Sequence, residues 1–236
     1  MEARHSWQIL SGSALKVLAM VSMLVDHLAM FVWSRLPAFQ EVLFTVRSHE
    51  ITPYMLCRMF GRLAFPIFAF LIVEGFLHTR DRRRYGISLL VFAFLSEIPW
   101  NLVWGGSLFF PKQNVMFTLL LGYLGLCALE RFKDDARYLW GSLIGLFVIA
   151  FFLRADYGFT GYAFILMLYA LRRWPPVQAV VGCAMLPMRW VAGLAFIPIN
   201  LYNGKRGFIQ GPVGKYLFYA FYPVHLFLIW LLPLVF

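Results

Sequence analysis

This sequence is poor in charge, poorer still in acids, and nearly free of cysteine. Only 14% of its 236 residues are charged, where an ordinary soluble domain carries about 25%. With 61% hydrophobic and 19% aromatic residues, a soluble monomer of this size has too little polar surface to cover its apolar content. Three cysteines, Cys57, Cys127 and Cys183, show no paired spacing, which excludes a disulfide framework and a thiolate metal site. Asp and Glu number 11 against 21 Lys and Arg, a formal charge of +10. The basic residues lie between apolar runs and form no stripe on a soluble face. They read as membrane topology, and no nucleic-acid partner is expected. Internal repeats, low-complexity tracts and soluble linkers are absent, so residues 1–236 read as a single integral membrane domain.

What is present is a series of apolar runs, at about 17–33, 63–79, 85–104, 115–130, 138–153, 158–171, 177–200 and 216–235. They predict an all-α, polytopic transmembrane helical bundle of about eight spans. Several runs are shorter than the roughly 20 residues of a full span, so some helices are short or broken. Pro187 and Arg189 interrupt the seventh run, as one kinked span or two half-helices. Arg80–Arg84, Arg131–Arg137 and Arg172–Arg173 occupy three loops of one side, which the positive-inside rule makes cytoplasmic. The N-terminus is then cytoplasmic, and with eight spans the C-terminus is too. The stretches 34–62, with Arg35, Arg47, Arg58 and Arg62, and 200–215, with Lys205, Arg206 and Lys215, fall outside. A re-entrant seventh run would instead bring 200–215 inside.

Ionisable residues within apolar helices are costly and mark functional sites by default. Lys16 and His27 are eleven residues apart, almost three helical turns, and share one face about 16 Å apart. A neutral His is the usual general base near neutral pH, and a Lys near the interface attracts an anion. The plain alternative is a snorkelling Lys and a His bonded to a neighbouring helix. Asp26 diverges from His27 by about 100° and reads as facing a donor on another span. Two such residues do not make a metal site, and no metal is expected. Glu74 and His78 share a helical face. Glu97 lies beside Pro99, which frees backbone groups for a polar neighbour. Asn114 and Thr118 suit a helix entry. Tyr222 and His225, three residues apart, share a face of the last run. Asn203-Gly204-Lys205-Arg206-Gly207 suits a tight backbone able to bind anions. Glu97 and His225 fall near the depth of His27, where they could converge.

Several blocks resemble the TraX family, the F-pilin acetylases of conjugative plasmids and their chromosomal relatives. They are Leu15 to His27, Arg62 to Arg80, Ser96-Glu97-Ile98-Pro99, Asn114 to Leu121, Asp156-Tyr157-Gly158 and Tyr202 to His225. The blocks run in order over nearly the whole chain. The Phe-Pro…Glu-Gly-Phe…His-Thr-Arg and Lys-Tyr…Phe-Tyr-Pro…His blocks are the specific ones. A looser similarity reaches the membrane acyltransferases of surface polysaccharides, which place a basic residue eleven positions before a catalytic His.

The resemblance implies a multi-pass acetyltransferase of the bacterial cytoplasmic (inner) membrane. Its co-substrate would be acetyl-CoA, and its acceptor a pilin N-terminal amine or another envelope peptide or glycan. On this view His27 is the base, with Asp26 or Glu97 stabilising the imidazolium. His225 and Tyr222 orient the carbonyl or stabilise the oxyanion. Lys16 and the arginine loop with Arg80, Arg83 and Arg84 hold the donor's phosphates, and Glu74, His78, Lys205 and Arg206 add binding contacts. A proton-coupled transporter also needs buried carboxylates and histidines. A structural partner of a pilus or secretion system would use them only to hold helices together.

Overall fold

The computed structural model describes residues 7–186 and 189–235. Pro187, which the sequence marks as a helix break, lies outside them. Among the described residues the chain is all-α apart from one small hairpin. In order it forms α1 (Gly12–Phe31), α2 (Pro37–Gln40), strands β1 (Phe44–Val46) and β2 (His49–Ile51), α3 (Pro53–Gly61), α4 (Ala64–His78) and α5 (Arg82–Gly105). Then come α6 (Val115–Arg131), α7 (Ala136–Leu153), α8 (Gly158–Ala170), α9 (Pro175–Met185), α10 (Arg189–Gly193), α11 (Phe196–Asn200) and α12 (Gly211–Val235). Among the described residues, five stretches are long and apolar enough to cross a membrane: Gly12–Arg35, Pro53–His78, Arg82–Gly105, Ala136–Leu153 and Val213–Leu232. The seventh apolar run folds as the short helices α9, α10 and α11.

The contacts divide the chain into two compact units, with the boundary inside α4. The first unit holds residues up to Phe68 and from Pro187 onward; the second holds Ala69–Leu186.

In the first unit α1 starts at Ser11, whose side chain accepts from the Ala14 N–H and caps the helix. Leu15, Ala19, Ser22, Met23 and Ala29 are buried at helical spacing, and this stripe packs against α3. The hairpin β1–β2 reverses the chain, with Val46 opposite His49. Helix α3 then returns along α1, capped by Thr52 with Pro53 in its first turn. At the α3–α4 junction the N–H groups of Arg62 and Leu63 bond three residues back, to Met59 and Phe60. Ser22 Oγ donates to the Phe60 carbonyl at 2.7 Å, so the junction is tied to α1. Arg58 and Arg62 therefore belong to an apolar helical stretch, Pro53–His78, and not to an external loop. A window centred on hydropathy begins the second run at 63 because the two arginines mask its start.

The chain from Leu201 to Ile209 is pinned to the start of α1. Leu10 N–H donates to the Leu201 carbonyl, Asn203 N–H to Leu10, Gly12 N–H to Lys205 and Ser13 N–H to Arg206, all at 2.8–2.9 Å. Ser13 Oγ also donates to Arg206 and accepts from the Ile209 N–H. Helix α12 begins just beyond, so α1 and α12 start at the same end and run parallel. The expectation of two termini on one side fails on this point. The end of α12 lies at the opposite end of the pair from the start of α1. The seventh run folds as short helices and not as one long span, and the chain from Leu201 to Ile209 lies beside the start of α1, as the re-entrant alternative has it.

In the second unit α6 is central, packed by α5, α7 and α8. Gly122 lets α8 approach; a Cβ there would stand 2.3 Å from Ile165 Cδ1. Tyr123, Leu126, Phe164, Ile165 and Leu168 are fully buried around this contact. Helix α7 keeps only Ala150 buried and exposes Trp140, Ile144, Ile149, Phe151 and Phe152. An apolar helix exposed on this scale suits a lipid surface.

Candidate functional site

The parallel pairing of α1 and α12 brings two histidines 198 residues apart into contact. His27 Nδ1 lies 2.8 Å from His225 Nε2. The two rings are within 2° of parallel, with centroids 5.1 Å apart. His225 is buried, as are Tyr222, Leu226 and Ile229 on the same stripe of α12. Its second nitrogen, Nδ1, is 2.7 Å from the Phe221 carbonyl, and the Phe221 ring stacks on it at 4.8 Å. Tyr222 flanks it from the other side, ring centroids 5.6 Å apart. Both nitrogens of His225 are thereby committed. Among the described residues no hydrogen bond reaches His27 Nε2.

Lys16, on the same face of α1 one end up, places Nζ 5.1 Å above the Phe218 ring of α12. The charge of Arg206 acts on it as well. Lys16 and Arg206 thus share one neighbourhood at the start of α1, and no carboxylate pairs with either among the described residues. Lys205 follows an Asx-type turn, its N–H donating to Asn203 Oδ1 at 2.9 Å.

Asp26 faces a donor on another helix, as its position predicts, and the donor is Arg58. Arg58 Nη1 and Asp26 Oδ2 are 2.6 Å apart, both side chains less than one-fifth exposed. Nη1 also approaches the Asp26 carbonyl and Met30 Sδ, each at 3.5 Å. Gly61 makes room for the carboxylate; a Cβ there would stand 2.2 Å from Oδ1. Arg58 also acts electrostatically on His27. The sequence reading assigns Arg58 to a loop and misses it. Its i,i+3 position before Gly61, in a helix already capped by Thr52 and Pro53, is the signal that could have found it.

The remaining predicted residues lie in the second unit. Glu97 accepts from both the backbone and the side-chain nitrogen of Asn114. Asn114 in turn donates to the Ala93 carbonyl and caps α6 through its Oδ1. Trp100 and Asn101 bond the same connection, at the Lys112 and Leu108 carbonyls. This cluster holds the α5–α6 loop. Thr118 Oγ1 donates to the Asp156 carbonyl, which ties α6 to the start of α8. Glu74 and His78 pair at 3.6 Å, while His78 Nδ1 donates to the Glu74 carbonyl at 2.9 Å. The His78 side chain is two-thirds exposed. Arg80, Arg83 and Arg84 are exposed at the α4–α5 turn, where Asp81 caps α5 by accepting from the Arg84 N–H.

The TraX protein family model matches residues 11–233, a range that contains α1, α12 and both histidines. This chain belongs to the TraX family. A curated relative of this TraX chain is a probable fimbrial assembly protein FimC, serogroup H1, of Dichelobacter nodosus. The two are 31% identical over 249 residues, covering 93% of this chain and 94% of the relative. No solved structure matches this TraX protein. The family resemblance read from the sequence is thus confirmed over nearly the full chain.

Proposed function

We propose that this protein is an acetyltransferase of the bacterial inner membrane. It would move an acetyl group from cytoplasmic acetyl-CoA to an acceptor amine of a pilin or another envelope substrate. The observation that carries this reading is the His27–His225 pair, a histidine bonded in an apolar helix contact with one nitrogen uncommitted among the described residues. TraX membership and the fimbrial relative support the pilus setting.

In this reading His27 is the general base. Lys16, Arg206 and Lys205 hold the donor's phosphates at the start of α1, about 16 Å from His27 along the helix. Lys16 and Arg206, with which no carboxylate pairs among the described residues, suit an anionic ligand. His225 acts through His27. Its nitrogens are used by His27 and Phe221, so it has no N–H left for an oxyanion. Asp26 pairs with Arg58 through Oδ2 and Glu97 bonds Asn114 through Oε1, and the group that faces His27 directly is a second imidazole.

The test is acetyl-CoA binding by calorimetry in detergent, followed by transfer to purified pilin in proteoliposomes, read by peptide mass. Wild type should bind and transfer. His27→Ala should bind without transferring, and Lys16→Ala should bind weakly. Absence of binding by intact wild type would instead favour a transporter or an assembly scaffold, separable by proton-coupled flux.

A further inference from the structure

The polarity of the hydrogen bonds along α12 decides which nitrogen of His27 is basic. His225 Nδ1 lies 2.7 Å from the Phe221 carbonyl oxygen, one turn earlier on the same helix. A carbonyl oxygen can only accept, so His225 Nδ1 carries a hydrogen. In a neutral imidazole the other nitrogen is then bare, and His225 Nε2 is an acceptor. The atom facing it at 2.8 Å is His27 Nδ1, which must therefore donate. Near-parallel ring planes, 2° apart, let the N–H and the lone pair lie in one plane. By the same rule His27 Nε2 is left without a hydrogen.

We infer that His225 is a positioning residue that holds His27 as its Nδ1–H tautomer and so makes His27 Nε2 the proton-accepting atom. The tautomer follows from geometry alone; its use in catalysis rests on the acetyl-transfer reading. The device is a relay of fixed direction, from His27 Nδ1–H to His225 Nε2 and from His225 Nδ1–H to the Phe221 carbonyl. It ends on a neutral backbone oxygen. A carboxylate in that place would carry a desolvation penalty inside an apolar helix pair. The Phe221 ring stacked on His225 at 4.8 Å, and Phe31 at 6.1 Å from the His27 ring, restrict ring flips that would scramble the order.

The step it serves balances as follows. The acceptor nitrogen attacks the thioester carbonyl carbon, a C–N bond forms and the C–S bond breaks. The amine proton passes to His27 Nε2 and from there to the departing thiolate, which leaves as the free thiol. While His27 is an imidazolium, its Nδ1–H still donates to His225 Nε2, so the charge is shared between two rings.

The experiment is nitrogen-15 NMR of the full-length protein, labelled at histidine, in lipid bilayers. The five histidines are assigned by single substitutions. Wild-type His27 should show a protonated Nδ1 and a bare Nε2. A hydrogen on His27 Nε2 in wild type overturns the inference without any variant. In His225→Leu the tautomer preference should be lost and acetyl transfer should fall about a hundredfold, with helical circular dichroism retained. His225→Gln offers an amide oxygen near the position of Nε2 and should recover about tenfold of that loss. His225→Asn reaches toward the Phe221 carbonyl and should not. An unchanged tautomer in a folded His225→Leu protein would also sink the idea. The tautomer as inferred, in a wild-type protein that never transfers acetyl, would uphold the relay and defeat only the acetyltransferase reading.

Discussion

At the α5–α6 junction Glu97 accepts from two nitrogens of Asn114, and Asn114 spends its remaining groups on Ala93 and on capping α6. At the α1–α12 contact His27 and His225 also meet inside apolar helices, yet among the described residues one nitrogen of His27 stays uncommitted. The two places look alike in sequence, each a lone ionisable residue in an apolar run. They differ in what their neighbours consume. Asn114, whose Oδ1 and Nδ2 are both engaged by its own fold, holds the α5–α6 loop together. A group fixed through one atom and open at another can act on a ligand.

The largest effect that would break this contrast is on turnover. His27→Ala should lower acetyl transfer by about 10²- to 10⁴-fold while acetyl-CoA binding by calorimetry stays within about threefold of wild type (0.65 kcal/mol). Retained transfer would remove the distinction between the two sites. The next effect is on stability. Arg58→Leu strands the buried Asp26 carboxylate and should destabilise the first unit by about 3–5 kcal/mol, measured by thermal unfolding in detergent. The double change with Asp26→Leu should recover most of that loss, which a pair engaged with substrate would not allow.

Asn114→Ala removes the α6 cap and the side-chain bonds to Glu97 and Ala93, and keeps the backbone N–H bond to Glu97. It should cost about 1–2 kcal/mol, with transfer following stability and no further. Glu97→Gln keeps an oxygen that can accept from Asn114, so transfer should fall by less than about tenfold. A loss as deep as that of His27→Ala would return Glu97 to the chemistry. The smallest effect lies on α7, where Ile149→Leu faces outward and should shift the unfolding midpoint by the equivalent of about 0.5 kcal/mol or less.

Much of this architecture is legible along the chain. The 3.6-residue period puts Lys16 and His27 on one face, Tyr222 and His225 on another, and Asn114 at a helix entry. Asp26 reads correctly as reaching for another helix. The start of the second span is not legible, because Arg58 and Arg62 lower hydropathy where α3 runs. Charge counting also misplaces the C-terminus, since it assumes that every apolar run crosses. Helices α9, α10 and α11 are too short for that assumption.

The sequence by itself determined the all-α membrane class, the family, and which residues share a helical face. The class and the shared faces follow from hydropathy and the helical period, both local properties of the chain, and the family from the resemblance carried by the ordered motif blocks. Only the tertiary structure decided that His27 meets His225, that Asp26 meets Arg58, and that the chain from Leu201 to Ile209 docks on the start of α1. Those pairings join positions as far as 198 residues apart. They depend on the direction in which α12 packs on α1, and a period read along one helix carries no information about its neighbour's direction.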